Sequence, residues 1–195
     1  MGSLAQAKTL GVVGSILVVL GLIPSIGSIL GIVGFILVLV AVKYIADATG
    51  KRAIFSNMVI AVLMAIIGLI IAMVLVFGAL FAFLGVEVLE GAIPPLIEEP
   101  DITDMDFIAF LGALIIGLLL FWIFFIISAV FLKKSFKAIS STLNVGMFGT
   151  AGLLYLIGAI LIVVVVGIVL ILVAEILMIV AFWSMPEQPP AAAPA

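Results

Sequence analysis

The 195-residue chain is 68% hydrophobic and only 9% charged, with a mean hydropathy of +1.67, whereas a soluble domain is about 45–50% apolar and about a quarter charged. So little polar surface cannot cover so much apolar surface in water, which excludes a water-soluble globule. Seven basic and ten acidic residues leave a net charge of −3, too weak and of the wrong sign to hold a nucleic acid.

The chain contains no Cys and no His. Disulfides, thiolate metal sites, iron–sulfur clusters and Cys nucleophiles are thereby excluded. So are His-ligated haem, the usual zinc sites and Ser-His-Asp hydrolysis. No cofactor is expected.

An α-helix rises about 1.5 Å per residue, so crossing a hydrocarbon core about 30 Å thick takes about 20 apolar residues. No charge appears from Gly11 to Val42, a stretch about 50 Å long as one helix and too long for one crossing. Near its middle stands Gly21-Leu-Ile-Pro24-Ser-Ile-Gly27. Proline removes a backbone donor and glycine admits positive φ, so the sequence predicts two spans, about 9–23 and 27–44, with a tight turn around Pro24 and Ser25. The first is short, so its ends are expected to thin the bilayer or to let Lys8 snorkel toward the headgroups. The next two spans are predicted over about 57–84 and 107–132. From Val145 to Met185 the chain would make one helix about 60 Å long, roughly two crossings. It carries one charge, Glu175, and Gly167 stands near its centre. A turn at Val163-Val-Val-Val-Gly167-Ile-Val divides it into spans of about 149–166 and 168–185. That turn has no Pro, Asn, Asp or Ser, so one long tilted helix stays open as the alternative.

The expected fold is thus an all-α, polytopic transmembrane helical bundle of six spans, with five as the alternative. An internal repeat favours six. Setting Gly27 against Gly167 pairs Leu30 with Leu170, Val33 with Val173, Ile36 with Ile176, Leu37 with Leu177, Val40 with Val180 and Ala41 with Ala181. Upstream, after a two-residue gap, Gly11-Val-Val-Gly14 pairs with Gly149-Thr-Ala-Gly152. Such a repeat makes the last stretch a hairpin like the first, related by an axis along the membrane normal.

Lys and Arg near span ends set orientation. Lys8, Lys43, Lys51, Arg52, Lys133, Lys134 and Lys137 are all the bases in the chain, and an up-down topology puts them on one side. The 85–106 connection holds Glu87, Glu90, Glu98, Glu99, Asp101, Asp104 and Asp106 with no base, and is expected to face outward. The N-terminus is then cytoplasmic, and the expected location is the plasma membrane. The Pro/Ala-rich tail, 186–195, is expected to be disordered. Lys8 and the apolar run behind it also resemble a signal peptide, but no small-x-small cleavage site follows, so a retained helix is expected.

Lipid tails are as apolar as leucine, so helices in a bilayer associate where small residues let backbones approach. Ala61, Ala65, Gly68, Ala72, Ala79 and Ala82 form such a stripe, interrupted only by Leu75. It reads as an intramolecular packing face, with a homo-oligomer seam or transporter sliding surface as the alternative. Gly27-x-x-x-Gly31 and Ala113-x-x-x-Gly117 offer similar faces. Tyr44 and Trp183, near span ends, read as interfacial anchors. Phe121, Trp122, Phe124 and Phe125 read as lipid-facing or packing bulk.

Glu175 is the one ionisable residue deep in a span, about 12 Å beyond Gly167 along the helix. A charge there costs on the order of 3 kcal/mol or more. No Lys, Arg or His lies within a span core to pair with it. It is expected as a neutral carboxylic acid, hydrogen-bonded to a hydroxyl such as Tyr155 or Ser15, or to a backbone carbonyl. The functional alternative is a proton-relay or cation-coupling acid. Asp101-Ile-Thr-Asp104-Met-Asp106 offers carboxylates to a divalent cation but lacks the glycine and terminal glutamate of an EF-hand loop, and reads as a solvated loop. Lys133 to Leu143, with apolar residues at helical spacing among polar ones, is expected as a short interfacial segment drawn to anionic lipid.

Several stretches, taken in order, resemble the archaeal and bacterial membrane family named domain of unknown function 996. They are Leu10-Gly-x-x-Gly14-Ser-Ile-Leu, Ile23-Pro24, Ile36-Leu, Ala41-Val-Lys-Tyr-Ile-Ala-Asp47, Ile54-Phe-Ser-Asn57, Ser135-Phe136 and Phe148-Gly-Thr-Ala-Gly-Leu-Leu-Tyr-Leu-Ile-Gly-Ala-Ile-Leu161. The resemblance implies a polytopic membrane protein and carries over no activity or site residue. Asp47, Asn57 and Thr150 fall where inner loops re-enter the membrane, and are expected either as a polar cluster at the cytoplasmic face or as helix caps. The leading functional expectation is a non-enzymatic structural, accessory or interaction protein, partnered by lipid, a second copy or another membrane protein. The rival is a small transporter or channel using Glu175. An intramembrane enzyme is disfavoured, since no span holds an Asp and a serine enzyme would lack a base.

Overall fold

A computed structural model describes residues 3–83 and 104–188. Among them are six α-helices and no strand: α1 (Leu4–Leu20), α2 (Gly27–Thr49), α3 (Arg52–Phe83), α4 (Asp104–Leu143), α5 (Gly146–Ile160) and α6 (Val165–Trp183). Four segments are long and apolar enough to cross a membrane: α2, α3, α6 and Phe107–Leu143 within α4. α1 and α5 are shorter apolar helices.

α1, α2 and the α5–α6 turn depart from their predicted bounds for local reasons. α1 starts at Leu4 rather than near residue 9, because Ser3 and Gln6 form a capping box. The Gln6 N–H donates to the Ser3 hydroxyl at 3.2 Å, and the Ser3 N–H donates to Gln6 Oε1 at 3.1 Å, which satisfies two donors that a helix start leaves orphaned. The turn between α1 and α2 lies where Pro24 and Ser25 put it, with Ser25 at φ 76°. α2 runs on to Thr49 and stops at Gly50, whose φ of 68° is the left-handed helix stop that glycine favours.

The second hairpin turns earlier than predicted. The break occupies 161–164, and Gly167 sits in the first turn of α6. No polar side chain is needed because the backbone pairs with itself. The N–H of Val164 donates to Leu161 C=O and that of Gly167 to Val164 C=O, both at 2.8 Å. A turn can therefore sit in an apolar run, provided each backbone group finds a partner.

The chain divides into two compact units: Met1–Leu63 with Ile126–Ala195, and Met64–Phe125. In the first, one apolar cluster draws on all six helices. Leu4 and Ala7 come from the start of α1, Ile45 and Ala46 from the end of α2, and Ile54 and Met58 from the start of α3. Ile139 and Leu143 come from the end of α4, Phe148 from the start of α5, and Phe182 from the end of α6, with Met185 just beyond. Starts and ends alternate, so the helices of this unit run up and down, and all seven bases fall in the stretches that converge on the cluster. Phe148 is its centre, edge-on to Phe182 with ring centroids 5.0 Å apart and tilted against Phe136 at 6.3 Å. Such pairs contribute about 0.5–1.5 kcal/mol beyond their buried area. Ser135 fastens α4 to α3, its buried hydroxyl donating to the Ile54 carbonyl at 2.7 Å.

Two findings correct the picture of residues 133–143. They are not a separate segment but the last turns of α4. Their apolar face, including Phe136, Ile139 and Leu143, is buried in the protein cluster rather than turned to lipid. Lys134 and Lys137 stay exposed on the other face.

The repeat has a structural counterpart. Gly27, Gly34, Val38, Ala41, Val42 and Ile45 are buried, and so are Gly167, Ala174, Met178, Ala181, Phe182 and Met185. Each of the latter lies 140 residues after its partner. α2 and α6 thus bury the same face in the same register. Their glycines also permit backbone contact with the preceding helix. Gly14 and Gly34 oppose one another across α1 and α2, while Gly158 opposes Gly167 and Ile171 across α5 and α6.

In the second unit α3 and α4 pack antiparallel. Gly68 lies under Phe124, Gly117 faces Val76 and Leu75, and Phe83 stacks on Phe110 with centroids 5.3 Å apart. Phe121 and Phe125 stack at 5.9 Å. Among its described residues the outer surface is aliphatic and aromatic, with Ile66, Ile70, Val74, Phe77, Ile115 and Leu118 all exposed.

Candidate functional site

Glu175 is partly buried on α6, and the α5–α6 hairpin supplies its polar neighbour. Gly158 packs against Ile171. In antiparallel register, stepping back to Tyr155 and forward to Glu175 moves the same way along the bundle. Tyr155 accordingly lies within electrostatic range of the carboxyl. Of the two hydroxyls named from sequence, this is the one the hairpin delivers.

Ser15, the other, belongs to α1, which packs against α6 where Gly11 meets the Phe182 ring. One turn along each helix puts Ser15 at the level of Met178, and a further turn of α6 reaches Glu175. Ser15 is fully buried and its hydroxyl has no hydrogen-bond partner among the described residues. A serine in an apolar helix ordinarily bonds the carbonyl one turn back, so this orphaned group is the feature the sequence did not flag. The α2 residue equivalent to Glu175 in the repeat is Phe35. The hairpin geometry therefore accepts an apolar side chain at this register, and packing alone does not require an acid.

The expected cytoplasmic-face cluster does not assemble through hydrogen bonds. Asp47 and Thr150 are exposed, Asn57 is partly buried, and Thr150 donates to the Gly146 carbonyl of its own helix at 3.4 Å. Asp47 caps nothing by side chain; its backbone carbonyl accepts the Gly50 N–H at 3.4 Å.

The small-residue stripe divides between the units. Ala61 is buried in the first. In the second, Gly68 is buried under Phe124, Ala65, Ala72 and Ala79 are partly buried, and Ala82 is exposed. Trp183 is 70% exposed, as an interfacial anchor would be, whereas Tyr44 packs against the apolar cluster.

Most of the acidic connection and tail residues 189–195 lie outside the described residues, as do the side chains of Asp104 and Asp106. Among the described residues no three His, Cys, Asp or Glu side chains come together as a metal site. At the near end of the tail Glu187 pairs with Lys8 at 3.8 Å, a contact beyond the reach of sequence. Exposed pairs of this kind contribute little stability. Its value is positional, because it ties the start of α1 to the end of α6.

These features define a helical membrane protein with several candidate transmembrane helices. The chain belongs to the family described as Protein of unknown function (DUF996), which it matches over residues 30–176. It is also 33% identical over 184 residues to an uncharacterized protein of Methanocaldococcus jannaschii, covering 94% of each chain. No solved structure matches it.

Proposed function

We propose that the chain is a six-crossing protein of the plasma membrane with both termini cytoplasmic, serving as a non-enzymatic structural or interaction component. The observation that carries this reading is the character of the exposed surface. Among the described residues of the Met64–Phe125 unit the outward side chains are aliphatic and aromatic, from Ile66 and Ile70 on α3 to Ile115 and Leu118 on α4. Such a surface offers contact to lipid, to a second copy or to another membrane protein, and among its described side chains none performs acid–base or nucleophilic chemistry. The Lys8–Glu187 pair supports an even number of crossings, and the convergence of all seven bases on one end supports the orientation.

A cysteine introduced at Val74, which is 66% exposed, tests the interaction role in a chain with no native thiol. Cross-linking in native membranes, to itself or to another integral protein, is expected. Val74→Cys that stays uncrosslinked while a buried-face control behaves identically contradicts an interaction face.

A second reading rests on Glu175, with Tyr155 on α5 in electrostatic range and the Ser15 hydroxyl on α1 about one turn away, which fit an intramembrane coupling acid. It requires proton or cation flux through the purified protein in proteoliposomes, abolished in Glu175→Gln. Absence of flux in both forms, with the variant folded, retires it.

A further inference from the structure

An open groove between α2 and α3, within the Met1–Leu63 part of the first unit, has a volume of about 370 Å³. Ile36, Leu39 and Val40 line one wall and Phe55, Val59 and Val62 the other, with Lys43 at one end. Lys43 is exposed and makes no ion pair with any described residue. It stands at the end that carries the chain's other bases, with Lys51 and Arg52 just beyond. From Lys43 to Ile36 the groove runs about 10 Å along the helix axis, a third of the hydrocarbon core's thickness.

We propose that this groove binds an anionic phospholipid of the surrounding leaflet, one acyl chain lying along Ile36 to Phe55 and the phosphate resting on the Lys43 ammonium. The chemistry of the walls selects the ligand. Apart from Lys43, no lining side chain can donate a hydrogen bond, so a polar metabolite has nothing to hold. One cation at the water-facing end of an apolar slot complements an anionic head on an apolar tail. A phospholipid brings both an anion for Lys43 and a thin apolar chain for the slot, whereas a helix about 10 Å across supplies the anion only if it carries an acid at that level. The inference rests on the membrane reading above but not on orientation or crossing number.

The test is native mass spectrometry of the full chain released from mixed micelles holding phosphatidylglycerol and phosphatidylcholine with identical oleoyl chains. The wild type is expected to retain one phosphatidylglycerol in clear preference to phosphatidylcholine. Lys43→Gln should reduce that preference about fivefold, the factor for one basic side chain at an anionic lipid surface, and Lys43→Arg should restore it. Val59→Phe, which fills the slot, should lower retention of both lipids. Lys137→Gln, an exposed base on another helix, should change nothing. Equal retention of the two lipids, an unaltered preference in Lys43→Gln, an equal fall in Lys137→Gln, or undiminished retention in Val59→Phe overturns the proposal. So does displacement by free oleate at equal concentration, which would assign the slot to a fatty acid. A chain that stays monodisperse without any amphiphile overturns the membrane reading instead, and so distinguishes the two failures.

Discussion

Replacing Gly34 with alanine forces α1 and α2 apart. A Cβ at that position would lie 2.6 Å from the Gly14 carbonyl oxygen and 2.6 Å from the Val18 nitrogen. Both are backbone atoms, which cannot rotate out of the way. Ordinary contact begins near 3.4 Å, so the helices must separate by roughly 0.8 Å along their closest line. Overpacking on that scale costs about 1–3 kcal/mol, and in lipid no hydrophobic term between helices offsets the lost dispersion contacts. Gly31→Ala supplies the control on the same helix, since its Cβ would meet only Gly21 Cα at an ordinary 3.5 Å. The assay is unfolding of the purified protein in a mild detergent, followed by tryptophan fluorescence. Gly34→Ala should fall by about 1–3 kcal/mol and Gly31→Ala should match the wild type. Gly14→Ala presses on the same two backbones, so the double variant should cost less than the sum of the singles. Equal effects at positions 31 and 34, or strict additivity of 14 with 34, would refute backbone contact as what holds this hairpin.

Other positions test other parts of the fold. Phe148→Ala empties the centre of the six-helix cluster and should destabilise by about 3–5 kcal/mol, seen as a lower unfolding midpoint in the same assay. Ser135→Ala removes the buried bond to the Ile54 carbonyl and should lose about 0.5–1.5 kcal/mol; an unchanged midpoint would show that this bond adds nothing to the joint between α3 and α4. Glu175→Gln keeps shape and hydrogen-bonding capacity and should unfold at the wild-type midpoint, while a large loss would assign the acid a structural role.

Much of the helical plan was legible because it follows from periodicity and length. The α1–α2 turn could be placed because Pro24 and glycine punctuate it, and α3 and α4 because no soluble helix stays apolar for so long. The α5–α6 turn was found but misplaced by a few residues. Its chemistry lies in backbone hydrogen bonds among Leu161, Val164 and Gly167, which leave no side-chain signature. The faint repeat anticipated equivalence between α2 and α6, and it extends further in burial than in identity, from Gly27 with Gly167 to Ile45 with Met185. Residues 133–143 were misread because amphipathicity is the same whether the apolar face meets lipid or protein. At the site, Glu175 was conspicuous as the lone acid in an apolar run. Tyr155 was one of two named hydroxyls, and only the register of α5 against α6 separates it from Ser15. The Lys43 groove was invisible, since it is lined by side chains of α2 and α3 that only tertiary packing brings together.

The proposed topology depends above all on six crossings that would leave every base on one side of the membrane. Single cysteines at Ser3, Lys51, Glu98 and Ala192, in sealed right-side-out vesicles, test this directly with a membrane-impermeant maleimide. Glu98→Cys should label from outside, whereas Ser3→Cys, Lys51→Cys and Ala192→Cys should label only after the vesicles are opened. Outside labelling of Ala192→Cys alone would reduce the crossings to five, and outside labelling of Lys51→Cys would contradict the topology altogether.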